Sequence, residues 1–255
     1  MTAESFPYRL MVDELRAEIL DGIRPPGSRM PSENELAIRY GTSRPTVRRA
    51  LAVLKGEGLI TTEQGRGAFV RPKPHVRLLV TGASFRKHRA LGLPGFNAQA
   101  LEQGQRAEQQ IRSVATVSAP PAVAVRLGLD QGAPVVLRRR VFLLEGEPTA
   151  LVDSYYPAKW ARGTAIEEPN RIKGGVYALI EDPEGPICRQ IARSVDDLVA
   201  RMPTPEEAAE LVLPPGVPVV RVTRTVFDSN DEPVEVQDSV MAADRHEFRY
   251  EERMR

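Results

Sequence analysis

The stretch Pro31-Ser32-Glu33-Asn34-Glu35-Leu36-Ala37, followed by Gly41-Thr42-Ser43-Arg44-Pro45-Thr46-Val47-Arg48-Arg49-Ala50-Leu51, decides how the N-terminal region folds. Ser32 with Glu35 three residues later is a capping box, so a helix starts at once and carries Leu36, Ala37 and Tyr40 on about two turns. Gly41 supplies the left-handed residue that stops it. Thr42 or Ser43 can then cap a second helix whose apolar positions Val47, Ala50, Leu51 and Leu54 recur at i, i+3, i+4 and i+7. Two helices so closely joined make a helix-turn-helix. At ~100° per residue, Arg48 and Arg49 lie away from the apolar stripe, and Ser43, Arg44 and Thr46 occupy an exposed first turn. Arginine offers a fork to guanine or phosphate there, and a helix N-terminus offers unbonded N–H groups to a phosphate oxygen.

Outward from this centre, Tyr8, Met11, Val12, Leu15 and Ile19 form one stripe of a preceding amphipathic helix that Gly22 ends, and Arg24-Pro25-Pro26-Gly27 forbids its continuation. On the other side, Leu59-Ile60-Thr61-Thr62 reads as a strand, Glu63-Gln64-Gly65-Arg66-Gly67 as a tight turn and Ala68-Phe69-Val70 as the return strand. The result is a hairpin wing with Arg66 at its tip. Charge follows the same division. The chain has a net charge of only +1, but residues 42 to 75 hold seven basic side chains against two acidic ones, while the segments on either side are slightly acidic. Positive charge gathered in one stretch fits a single face that meets phosphates.

These stretches, in this order and spacing over about residues 8 to 70, resemble the winged helix of the GntR family of bacterial transcriptional regulators. The resemblance implies that Arg44, Thr46 and Arg48 and the wing at Gln64, Gly65 and Arg66 contact operator DNA, with Ser43 on a phosphate. Arg49 joins this set as a second arginine off the apolar stripe. Asn34 stands where many members carry a DNA-contacting arginine.

Arg71-Pro72-Lys73-Pro74-His75 has alternating prolines that favour an extended, semi-rigid spacer, so the expected division is a DNA-binding domain at 1–71, a linker at 72–76 and a second domain at 77–255. That second domain contains an internal duplication. Leu127-Gly128-Leu129, Gly132-Ala133-Pro134-Val135-Val136, Arg140, Glu147-Pro148 and Asp153-Ser154 recur as Leu211-Val212-Leu213, Gly216-Val217-Pro218-Val219-Val220, Arg224, Glu232-Pro233 and Asp238-Ser239. The offset is 84 residues before the hairpin turn and 85 after it, which marks one insertion in a loop. Each copy reads as a short helix, a turn, a strand, a hairpin and a second strand, so a pseudo-symmetric α+β domain is expected, its halves closing a sheet around a crevice. Strand alternation puts Arg138, Arg140 and Phe142 on one face. Two arginines so placed are either an anion clamp or part of a solvent or dimer surface.

About residues 77 to 250 resemble the UTRA effector domain of the HutC subfamily, which has a chorismate lyase type of α+β fold. The resemblance implies an effector pocket lined by Phe96, Asn97, Arg138, Arg140, Tyr177 and Glu235. Asn97, Gly175 and Met241 depart from the family pattern. The expected protein is a cytoplasmic, homodimeric regulator, a repressor that a small, anionic effector releases from a palindromic operator.

Other classes fit less well. An enzyme using a chorismate lyase-like domain recruited to DNA lacks a nucleophile elbow, a paired His and Cys, or a metal cluster. A constitutive architectural DNA binder leaves the second domain without a purpose. The GntR branch with an all-helical, metal-binding effector domain is at odds with 22 prolines and three scattered histidines. One cysteine, Cys188, excludes an internal disulfide, and neither a metal nor another cofactor is expected. No apolar run approaches the ~18 residues of a membrane span.

Overall fold

The structure, a computed structural model, describes residues 7–63, 65–72, 74, 77–81 and 95–251, and the chain divides into two compact units with the main break between residues 75 and 76. Residues 73, 75 and 76 of the expected spacer lie outside the described residues.

In the first unit, helix α1 (Pro7–Leu20) buries Met11, Val12 and Leu15 as its stripe requires. Helix α2 (Glu33–Arg39) begins with the full capping box: the Glu35 amide donates to Ser32 Oγ at 3.2 Å and the Ser32 amide to the Glu35 carboxylate at 2.7 Å. Gly41, at φ +59°, turns the chain into α3 (Arg44–Gly56). Val47, Ala50 and Leu54 of α3 are fully buried with Met11, Leu15 and Leu36, so three helices share one core. The wing is β1 (Ile60–Glu63) antiparallel to β2 (Gly67–Val70). One element escaped the sequence reading. The segment after α1 returns alongside β2, where the Met30 amide donates to Ala68 O and the Val70 amide to Ser28 O, both at 2.8 Å. A single bridged residue, Arg29, is too short to show a period.

The second unit opens with β3 (Leu78–Thr81) and α4 (Gly95–Glu102). The first copy of the duplication follows as β4 (Ala107–Ser118), α5 (Pro121–Leu127), β5 (Pro134–Leu144) and β6 (Glu147–Pro157). After α6 (Ala158–Ala161) and α7 (Val176–Glu181) comes the second copy: β7 (Ile191–Arg201), α8 (Pro205–Glu210), β8 (Val219–Asp228) and β9 (Pro233–Ala242). A last strand, β10 (His246–Arg249), pairs in parallel with β3. The six long strands form one antiparallel sheet in the order β4-β5-β6-β9-β8-β7, which reads the same from either end once the copies are equated. Its pseudo-two-fold axis passes where Asp153 faces Asp238. The inserted residue sits in the second hairpin turn. The first turn has only Glu145 and Gly146, both left-handed at φ 51° and 84°, as a two-residue hairpin demands. The halves join edge to edge through β6 and β9, and both contribute to the lining of one cavity. The cavity, described below, lies over one face of the continuous sheet.

His246 on β10 is buried, with Nδ1 2.9 Å from the Ala242 carbonyl oxygen, and burial pulls its imidazole down to about 4. Its ordinary value in the unfolded chain is near 6.5, so the unfolded state takes up a proton that the fold excludes. The stabilisation is complete above pH ~6.5 and falls by roughly 3 kcal/mol as the pH drops toward 4. Unfolding midpoints measured across this range are expected to fall more steeply for the native chain than for His246→Gln; parallel curves would refute the assignment.

Candidate DNA-binding surface and effector cavity

Ser43 occupies the N-cap position of α3, but its Oγ bonds the Thr46 Oγ1 at 2.9 Å and not a backbone amide. The first-turn N–H groups are thereby left for another acceptor, as a phosphate site needs. Arg44 stands beside them, exposed and with no ion pair among the described residues. Arg48, on the same exposed face, directs Nε at both carboxylate oxygens of Glu33 on α2, at 3.0 and 2.9 Å. Arg49 has another use. One further ~100° step turns it toward α1, where its guanidinium lies 4.1 Å over the Tyr8 ring in a cation–π contact within the unit. In the wing, Gly65 is exposed at φ +74°, and Arg66 pairs with Glu63 while lying 5.6 Å over Phe69. Gln64 lies outside the described residues.

In the second unit, strand register lays side chains out in rows on one face of the sheet. Arg138, Ser154, Gln237, Arg224 and Asp196 stand in line across β5, β6, β9, β8 and β7. The next row holds Arg140, Val152, Ser239 and Val222, and the third Phe142, Ala150 and Met241. Over this floor sit Phe96 of α4, Tyr177 of α7, and Phe248 and Tyr250, enclosing a cavity of about 610 Å³. Phe96 and Phe142 rings pack at 4.5 Å.

Glu235 is buried at the end of the cavity that α7 covers. It accepts hydrogen bonds from Tyr156 at 2.7 Å and Tyr177 at 2.5 Å. Burial first, then the charge of Glu235, pushes both tyrosine hydroxyls well above their ordinary value, so both remain donors. Arg138 is 3% exposed and spends its terminal nitrogens on main-chain carbonyls: Ile166 and Glu168 at 2.7 Å and Asn170 at 2.9 Å. Burial lowers its guanidinium from the ordinary range. The pair Arg138 and Arg140 is therefore not a symmetrical clamp; Arg138 ties down a loop, because carbonyls without amide partners capture the nearest strong donor. Among the described residues Arg140 meets only neutral acceptors, Ser154 Oγ and Gln109 Oε1, and its buried Nε has no hydrogen-bond partner.

Asn97 also departs from expectation. Its amide donates to Ala107 O at 2.9 Å and accepts from Gln109 at 2.7 Å, so it anchors α4 to β4 and does not line the cavity. The sequence reading missed Tyr156, and it named Arg224 only as the repeat of Arg140. The two arginines differ in what stands across the adjacent strand. Across the strand from Arg140 stands Ile111, whereas across from Arg224 stands Asp196, which binds it through two contacts of 2.7 and 2.6 Å.

Comparison with known proteins agrees with both units. Residues 7–70 match the bacterial regulatory proteins of the gntR family, and residues 102–247 match the UTRA domain. An HTH-type transcriptional regulator of Streptomyces coelicolor is 31% identical, over 98% of this chain and 94% of its own length. The HTH-type transcriptional repressor PhnF of Mycolicibacterium smegmatis is 30% identical, over 97% of this chain and 95% of its own. The crystal structure of a GntR-family transcriptional regulator superposes with a TM-score of 0.73 at 28% identity, covering 99% of both chains. Among the described residues no helix is long and apolar enough to cross a membrane and no cluster of metal-ligating side chains occurs. The chain belongs to the GntR family of bacterial regulatory proteins: it is a DNA-binding transcriptional regulator, not an enzyme, and its second domain is the effector-binding UTRA module.

Proposed function

We propose that this regulator is a cytoplasmic repressor that holds a palindromic operator as a homodimer and leaves it when a small anionic effector fills the UTRA cavity. The observation that carries the effector's charge is Arg140. It is a cation on the cavity floor whose terminal nitrogens, among the described residues, meet only the neutral Gln109 Oε1 and Ser154 Oγ, so its charge is left for an anion. Glu235 and its two tyrosines give the opposite end acceptors for hydroxyl groups.

A dimer is supported on two grounds. One winged helix reads only a few base pairs, and two related by a two-fold axis read a palindrome. Edge strand β7 also leaves Val195 and Val199 exposed at 42% and 58%, on either side of Asp197, beside a strand edge that no described strand pairs.

The test is operator affinity with and without a ligand found by thermal-shift screening of small carboxylates and phosphate esters. Bound ligand is expected to weaken operator binding about 5- to 150-fold, and operator DNA must weaken ligand binding by the same factor. Unchanged operator affinity in the ligand-saturated protein would overturn the release mechanism, and a monomer by light scattering at ~10 μM would overturn the dimer.

A further inference from the structure

Arg48 and Glu33 come from different helices and meet in one geometry. The guanidinium is held by its Nε edge, with the two Glu33 oxygens at 3.0 and 2.9 Å, and neither terminal nitrogen takes part. The side chains are 64% and 37% exposed, so the pair contributes little to stability and the fold does not depend on it. A carboxylate beside a DNA-facing arginine also opposes phosphate binding, since it cancels the counterion release that the arginine would bring. The next residue on α2 is the neutral Asn34, and the helix's one cation, Arg39, is paired with Glu18 of α1.

What the carboxylate does provide is direction. With Nε engaged by Glu33, the outer edge formed by the two terminal nitrogens is left as an end-on fork. That is the donor pair that spans O6 and N7 on the major-groove edge of guanine. A phosphate, by contrast, takes an arginine in many orientations and gains nothing from the restraint. We propose that Glu33 is a specificity-determining positioning residue. It holds Arg48 for a guanine edge in each half-site and gives up sequence-independent affinity in exchange for base discrimination.

The test uses the full chain and duplex DNA. Selection from a random duplex pool first defines the preferred site of the native protein. The native protein, Glu33→Gln, Arg48→Ala, the double variant and Glu14→Gln are then measured on that site and on a scrambled duplex over a range of salt. Glu14→Gln makes the same charge change on α1. Glu33→Gln is expected to bind scrambled DNA more tightly, with a salt slope steeper by about 0.9 for each additional phosphate contact. Its preference for the selected site should fall at least ~10-fold, because the fork is no longer aimed. Repeating the selection should show guanine preference lost at the same position for Glu33→Gln and Arg48→Ala. The double variant should discriminate no worse than Arg48→Ala. The proposal is overturned if Glu33→Gln keeps the native base preference, if it lowers discrimination further when Arg48 is already alanine, or if Glu14→Gln changes the preference to the same extent.

Discussion

Replacing Arg44 by alanine is expected to weaken operator binding by roughly 2 to 6 kcal/mol in a dimer, at ~1 to 3 kcal/mol for each half-site deprived of its arginine. Arg44 projects from the first turn of α3 with no acidic partner among the described residues, so DNA need not break an existing ion pair to engage it. The side chain is exposed, and its loss should leave thermal unfolding unchanged. Arg49→Ala is the matched comparison. Its guanidinium already lies on Tyr8, and its removal should alter operator affinity only a few-fold. Gel-shift titrations at one fixed salt concentration decide the matter. Equal losses for the two variants would mean that α3 meets DNA through charge alone, and no loss for Arg44→Ala would remove α3 as the reading element.

Arg138→Ala and Arg140→Ala, two positions apart on one strand face, should fail in different ways. Removing Arg138 leaves the buried carbonyl of Ile166 and the part-buried carbonyls of Glu168 and Asn170 without their donor. A loss of about 3 to 5 kcal/mol is expected for a buried charged donor with several acceptors. For a domain of this size that lowers the unfolding temperature by on the order of 10 °C. Removing Arg140 frees only Ser154 and Gln109, which can bond to water in the cavity, and should cost little stability while abolishing the response to an anionic ligand. Calorimetry combined with ligand titration separates the two. If Arg138→Ala stays folded and loses only ligand binding, Arg138 belongs to the pocket and not to the loop.

The N-terminal unit was legible almost residue by residue because its signals are local. Ser32 and Glu35 define a helix start without help from the rest of the chain, and the α1 and α3 stripes name their own core. The duplicated sheet was legible in its central hairpins, where paired glycines, prolines and acids repeat, but not in its outer strands. Strand β7 follows β4 by the same 84 residues, yet between its terminal residues nearly every side chain is exposed, so no burial alternation shows in its sequence. The cavity was legible as a set of residue types and not as a set of roles. Arg138 and Asn97 are both held by main-chain carbonyls, and a carbonyl leaves no mark in the sequence of residues 165 to 170 or at Ala107. Glu33 was read as part of a helix start, and its second task appears only when α2 and α3 are placed side by side.

The palindromic strand order carries a consequence for how a ligand is oriented. A floor with true two-fold symmetry would offer an elongated anion two equivalent poses, related by a half-turn, and no signal could tell one from the other. Asp196 stands where the other half has Ile111, and that one carboxylate silences one of the two related arginines. The degeneracy is lifted. An anion that settles on Arg140 presents the same end to Tyr177 and Glu235 in every molecule, and so the pull it exerts on its surroundings always has the same sign.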